Sequence, residues 1–107
     1  MLSRAQFAKL HYQKFGKTNP KRVEHDYLIY RLKHAKVEMY YKPGCIYCQK
    51  AKTLLDTYHI PYVTYNVTNP QLLDDMHIRS KRNTVPQIFI NHHHVGGYTD
   101  LNKLLTY

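Results

Sequence analysis

Val37-Glu38-Met39-Tyr40-Tyr41-Lys42-Pro43-Gly44-Cys45-Ile46-Tyr47-Cys48 decides how this chain is read. Its first five residues are a short strand. Lys42-Pro43-Gly44 is a turn, and Cys45 opens a helix that runs to about Tyr58. The two cysteines are the only ones in 107 residues. Two thiols separated by two residues can close a small disulfide, or divide thiol–disulfide exchange between an attacking and a resolving sulfur. The partial positive charge of a helix N-terminus stabilises a thiolate, the reactive form of the first thiol. Half of a metal site, or two incidental cysteines, would have the same spacing.

Working outward, His59-Ile60-Pro61 breaks that helix. Tyr62-Val63-Thr64-Tyr65-Asn66-Val67 follows as an alternating strand. Asn69 caps a helix from Pro70 to about Arg79. Gln87-Ile88-Phe89-Ile90 is a third strand, with Thr84-Val85-Pro86 opening it. Asn91-His92-His93 is a turn, and His94-Val95 pairs back as a fourth strand. Gly96-Gly97 ends it, and Asp100 to Leu105 is a last helix, for which Thr99 and Asp100 can supply the cap. The order β-α-β-α-β-β-α contains one strand–helix–strand unit long enough for a parallel crossover, then a hairpin.

Residues 1–36 differ in character. Their first acidic residue is Glu24. Ser3 and Gln6 have capping-box spacing, and a helix from about Arg4 to Phe15 ends at Gly16. Asn19 and Pro20 start a second helix, whose apolar side draws on Val23, Tyr27, Leu28, Ile29, Tyr30 and Leu32. The basic start, Met1-Leu2-Ser3-Arg4, has the composition of an organelle-targeting segment. The caps instead predict a helical extension packed on the domain or on a partner.

Length predicts one domain with a modest core. Hydrophobic residues make up 43% of the chain and the mean hydropathy is −0.61, as expected of a soluble globular protein, and no run approaches the ~18 apolar residues that a membrane span needs. Two cysteines at this spacing suit a catalytic pair in a reducing compartment better than a disulfide scaffold. Sixteen basic residues against seven acidic ones give a charge of +9, which favours anionic partners. The 11 tyrosines are scattered and form no recognisable nucleic-acid motif, so nucleic acid is not an expected partner. His92-His93-His94 fits no common zinc module and reads as a polar turn, so no metal site is expected.

Three elements together resemble the glutaredoxin family. They are Tyr41-Lys42 with Cys45-Ile46-Tyr47-Cys48, then Thr84-Val85-Pro86-Gln87-Ile88-Phe89-Ile90-Asn91, then Gly96-Gly97-Tyr98-Thr99-Asp100-Leu101, in family order and spacing. The resemblance covers roughly residues 36–107. It implies a thioredoxin-like α/β fold: a central four-stranded mixed sheet flanked by helices, here carrying the N-terminal extension of residues 1–36 before a domain of residues 37–107. It implies a cis bond before Pro86 and glutathione as reductant and ligand. Cys45 would be the nucleophile and Cys48 the resolving thiol.

By the same resemblance Lys42, Tyr47, Thr84, Val85, Pro86, Thr99 and Asp100 would bind glutathione. Val85 would pair with its cysteine moiety, Thr99 and Asp100 would hold the γ-glutamyl end, and Lys42 the glycine carboxylate. The implied partners are disulfide-containing or glutathionylated proteins, ribonucleotide reductase being a familiar client. A cytoplasmic monomer is expected.

Two departures qualify the match. Ile46 stands where many dithiol relatives have proline, and in some relatives that absence goes with a glutathione-ligated [2Fe–2S] cluster. The alternative function is therefore a cluster carrier or sensor. Leu73 stands where relatives place Gln or Arg against the glycine carboxylate. Gln71, Arg79 or Arg82 would compensate, or a thioredoxin reductase would replace glutathione as the source of electrons.

Overall fold

A computed structural model describes residues 1–106. Nine elements follow in order: α1 (Arg4–Phe15), α2 (Pro20–Lys33), β1 (Val37–Tyr41), α3 (Ile46–Thr57), β2 (Val63–Asn66), α4 (Pro70–Ser80), β3 (Gln87–Ile90), β4 (His93–Gly96) and α5 (Tyr98–Leu105). The four strands form one sheet in the order β2-β1-β3-β4. β1 runs parallel to β2 and antiparallel to β3, and β3 is antiparallel to β4. This is the thioredoxin-like arrangement.

Alternation along β1 divides the interior into two layers, because successive side chains point to opposite faces of a sheet. Val37 and Met39 join Ala51, Leu55, Ile60, Ile88, Leu101 and Leu105 under α3 and α5. Tyr40 lies on the other face with Val67, Met76 and Phe89, under α4. Glu38 shares the register of Tyr40 and is buried, so it must be paired. Arg79 of α4 pairs with it through both guanidinium nitrogens, and the Tyr65 hydroxyl donates to it at 2.9 Å.

The caps follow the sequence closely. Ser3 and Gln6 make the reciprocal pair of a capping box, and Gly16 ends α1 with φ +72°. Asn19 and Asn69 each accept an N–H two residues on and are each followed by Pro at the first helical position. Several boundaries move. β2 spans Val63–Asn66, not Tyr62–Val67, and α3 begins at Ile46, after Cys45. β4 begins at His93, because Asn91 and His92, both at positive φ, suffice for the two-residue hairpin turn. α5 begins at Tyr98, which makes Gly97 its cap residue and puts Thr99 and Asp100 inside its first turn.

The extension is an α-helical hairpin attached at one end of the domain. Leu32 of α2 is buried in the core beneath α3 and α5, with Leu28 and Ile29 packed against it. The His25 ring meets Tyr58 edge-on at 5.7 Å, and its Nε2 hydrogen-bonds the Leu105 carbonyl. α1 packs on α2 through Phe7, against the rings of Tyr27 and Tyr30, and through His11, bonded to Asp26 at 2.8 Å. His11 is the one buried residue of α1.

Candidate active site

The turn after β1 sets the position of the first thiol. Gly44 takes φ +82°, which a residue without a Cβ adopts freely, and the Cys45 N–H donates to the Lys42 carbonyl at 3.2 Å. Cys45 is thereby the N-cap of α3, with extended backbone angles. Its Sγ accepts from the Cys48 N–H at 3.1 Å, the place an oxygen fills in most caps. Added negative charge on this sulfur meets the N–H groups and the positive end of the helix dipole.

Cys48 lies one turn further on. It is 2% exposed and forms a disulfide with half-buried Cys45, with 5.2 Å between the Cα atoms. The sulfur that a partner could reach is therefore the one that also occupies the cap.

A second loop comes alongside from the sheet. The Val85–Pro86 bond is cis, and the Val85 carbonyl oxygen lies 3.8 Å from Cys45 Sγ. Gln87, 1% exposed, holds this loop from behind: its Nε2 donates to the Thr84 carbonyl at 3.0 Å and to Thr84 Oγ1 at 3.2 Å. His94 lies 2.7 Å from Gln87 Oε1. Because the amide nitrogen is committed to Thr84, Oε1 must accept, so His94 Nε2 carries a hydrogen. Burial, then the Arg82 cation, lower the His94 pKa, and Asp100 opposes them.

The third piece is the β4–α5 junction. Gly96 has φ +125°, and a Cβ there would lie 2.2 Å from Asp100 Oδ2. That oxygen instead accepts the Gly97 N–H at 3.3 Å, half of a capping box. Thr99 makes no such cap bond and is exposed.

Together these pieces enclose a cleft of about 280 Å³, lined by Tyr47, Arg82, the Thr84–Gln87 segment and the Gly97–Asp100 segment. Six of the seven residues expected to bind a ligand line it: Tyr47, Thr84, Val85, Pro86, Thr99 and Asp100. Cys45 sits at its margin, against Val85. Lys42 is exposed on the preceding turn and does not line the cleft.

Among the residues considered as replacements for Leu73, the structure separates Arg82 from Arg79. Arg82 lines the cleft, whereas Arg79 is bonded to Glu38 and Tyr40 and covers the Phe89 ring at 4.0 Å. Gln87 and Tyr98 also line the cleft. Their signal was position alone: one follows the cis proline, and the other follows the paired glycines.

The three consecutive histidines diverge. His92 approaches Glu38 at 3.8 Å, while His94 turns to Gln87. Among the described residues no group of three or more His, Cys, Asp or Glu could hold a metal ion, and no helix is long and apolar enough to cross a membrane. A larger cavity of about 650 Å³ lies between α1, α2 and Tyr58, away from both sulfurs.

The glutaredoxin family profile matches residues 37–95, so both N-terminal helices lie outside the match. Glutaredoxin 3 of Escherichia coli K12 is 42% identical over 71 residues, covering 65% of this chain and 86% of the relative. Among solved structures, a glutaredoxin from Brucella melitensis is 44% identical with a TM-score of 0.57, covering 64% of this chain and 76% of that one. A dithiolic glutaredoxin from Trypanosoma brucei brucei is 31% identical with a TM-score of 0.58, covering 72% and 84%.

Proposed function

Because the chain belongs to the glutaredoxin family of thiol–disulfide oxidoreductases, we propose that it uses glutathione to reduce protein disulfides and protein–glutathione mixed disulfides. The observation that carries this reading is the location of one sulfur: Cys45 Sγ caps α3 and faces the Val85 carbonyl at the margin of the cleft.

In the reduced protein the Cys45 thiolate attacks the glutathione sulfur of a mixed disulfide. A Cys45–glutathione bond forms, the old S–S bond breaks, and the client leaves as a thiolate that takes a proton from water. A second glutathione thiolate then attacks the glutathione sulfur of the adduct. Oxidised glutathione departs, and Cys45 leaves as the thiolate that the helix terminus favours. With a protein disulfide, Cys45 forms a mixed disulfide with the client. Cys48, one turn away, displaces the client and closes the Cys45–Cys48 bond.

The cleft suits an extended tripeptide with two carboxylates and one ammonium. Val85, held by the Gln87–Thr84 bonds, offers its backbone as an added strand would. The N-terminus of α5, with Thr99 beside it, takes the γ-glutamyl carboxylate, and Asp100 meets the ammonium. Thr84, Pro86 and Tyr47 form the walls. Arg82 takes the glycine carboxylate, in place of the Gln or Arg absent at Leu73. Lys42, exposed three residues before Cys45, adds positive potential at the mouth.

Residues 37–107 constitute the catalytic domain and residues 1–36 an appendage to it. The test is a coupled assay with glutathione, glutathione reductase and a glutathionylated substrate. Cys48→Ser retains turnover and Cys45→Ser abolishes it. Equal, complete loss in both variants overturns the one-thiol route.

A further inference from the structure

The extension carries most of the chain's charge and almost none of its chemistry. Residues 1–36 hold nine Lys and Arg against two acids, a net of +7 within a chain of +9. Both acids are already engaged: Glu24 with Arg4, and Asp26 with His11 and Arg22. Six lysines and Arg31 have no carboxylate within ion-pair distance among the described residues.

Three of these cations lie beside exposed rings of α1, and Lys14 Nζ stands 5.3 Å from the Phe15 ring centroid. On the C-terminal half of α1 and just beyond it, Lys9, Lys14 and Lys17 are exposed, and between them stand Tyr12, 64% exposed, and Phe15, 58% exposed. The scatter of tyrosines along the sequence hides this grouping, because only one of its five residues is a tyrosine.

We propose that α1 and the α1–α2 turn bind single-stranded nucleic acid, with lysines on the phosphates and Tyr12 and Phe15 stacking on bases. A positive groove or face with interleaved aromatics is the usual means of holding a single strand without sequence preference. Other occupants fit less well. A second copy of this chain would bring +7 against +7. A membrane-surface helix needs its apolar and basic residues on opposite faces, and here they are interleaved around α1. Protein interfaces are depleted in lysine, yet lysine supplies six of these seven cations without a carboxylate partner. Lysine does serve phosphates well, as a point charge.

The attachment leaves the reactive sulfur clear of such a strand. α2 contacts Tyr58 and Leu105, at the C-terminal ends of α3 and α5, whereas Cys45 and Gly97 are at their N-terminal ends. The 12 residues of α3 separate the two ends by about 18 Å. A bound strand and a client protein would occupy opposite ends of the molecule.

Fluorescence anisotropy of the full chain with a labelled oligothymidylate of about 20 nucleotides tests this. Neutralising about five phosphates gives saturable binding that weakens roughly a hundredfold between 50 and 200 mM salt. Lys9→Glu with Lys14→Glu and Lys17→Glu abolishes binding. Tyr12→Ala with Phe15→Ala weakens it at least tenfold and leaves the salt slope unchanged. Circular dichroism confirms that both variants remain helical, and turnover of a small mixed disulfide is unaffected in both. No anisotropy change at 50 mM salt overturns the proposal. So does equal competition by polyglutamate of matched charge, which would mark an acidic protein as the occupant, or by anionic lipid vesicles.

Discussion

Arg79 is bidentate on Glu38, with Nη2 3.0 Å from Oε1 and Nη1 3.1 Å from Oε2. The pair ties α4 to β1 across the face of the sheet, and Arg79 Nη1 also donates to the Tyr40 hydroxyl at 2.9 Å. That hydroxyl in turn bonds Asp75, and burial together with this carboxylate pushes the Tyr40 pKa up to about 12. The guanidinium is thus fixed in the second layer of the core and is not free to meet a ligand.

The first prediction concerns this pair. The hydrogen bond from Arg79 holds the Glu38 carboxyl below its ordinary 4.5, against an opposing effect of burial. A depressed carboxylate pKa adds stability that is present above the unfolded value and lost as pH falls through the folded one. The denaturant midpoint should therefore fall as pH drops below 4.5. Glu38→Gln should cost up to about 3 kcal/mol at neutral pH, the low end for a broken buried pair, because Arg79 keeps 21% of its side-chain exposure. The same variant should show a flatter acid dependence. Urea titrations at several pH values measure both.

Gln87→Leu removes the amide that holds Thr84 and the bond from His94. Unmaking a buried hydrogen-bonded group costs about 1–3 kcal/mol. The effect on function should exceed that of a merely weaker fold. At temperatures where the variant is fully folded, kcat/KM for a glutathionylated peptide should fall about tenfold, as a loop displaced beside Cys45 would cause. Unchanged kinetics in the folded variant would remove Gln87 from the positioning of Val85.

Gly96→Ala tests the β4–α5 junction. The backbone angle of +125° already disfavours any other residue, and the new methyl would displace the Asp100 carboxylate from the Gly97 N–H. A cost of about 1–3 kcal/mol is expected from strain of this kind. The KM for glutathione should rise with it. Melting curves and steady-state kinetics on one preparation separate the two effects.

Arg82→Ala should leave stability within about 0.5 kcal/mol, since its side chain is exposed. Its backbone bonds to Ser80 do not need the guanidinium. A charge-assisted hydrogen bond to a ligand carboxylate is worth about 1.5–3 kcal/mol, so the KM for glutathione should rise at least tenfold. An unchanged KM would return the glycine carboxylate to Lys42 or leave it in solvent.

Local rules made much of this molecule readable from sequence. Asn19-Pro20 and Asn69-Pro70 mark two helix starts, Gly16 a helix end, and Val37 to Tyr41 a short strand, whose burial on both faces emerges only in the fold. The cleft was largely readable too, because it is built where three short motifs end. What escaped depends on distance along the chain. Arg79 was open to a ligand role until β1 and α4 were seen to bring Glu38, 41 residues away, against it. Thr99 and Asp100 both favour a cap, but the helix starts two residues earlier: Gly97 takes the N-cap position, Thr99 makes no cap bond, and Asp100 caps from inside the first turn by accepting the Gly97 N–H. Lys42 is three residues before Cys45 in sequence, and the turn leaves it exposed and outside the lining of the cleft. The grouping of Tyr12 and Phe15 with three lysines needs the helix itself.

The most direct test is an ultraviolet titration of the Cys45 thiolate in reduced Cys48→Ser protein, where it is the sole thiol. A sulfur that caps α3 should ionise at or below about 7.5, with glutathione protecting it from alkylation. An ordinary thiol pKa near 8.5, with no such protection, would contradict the account.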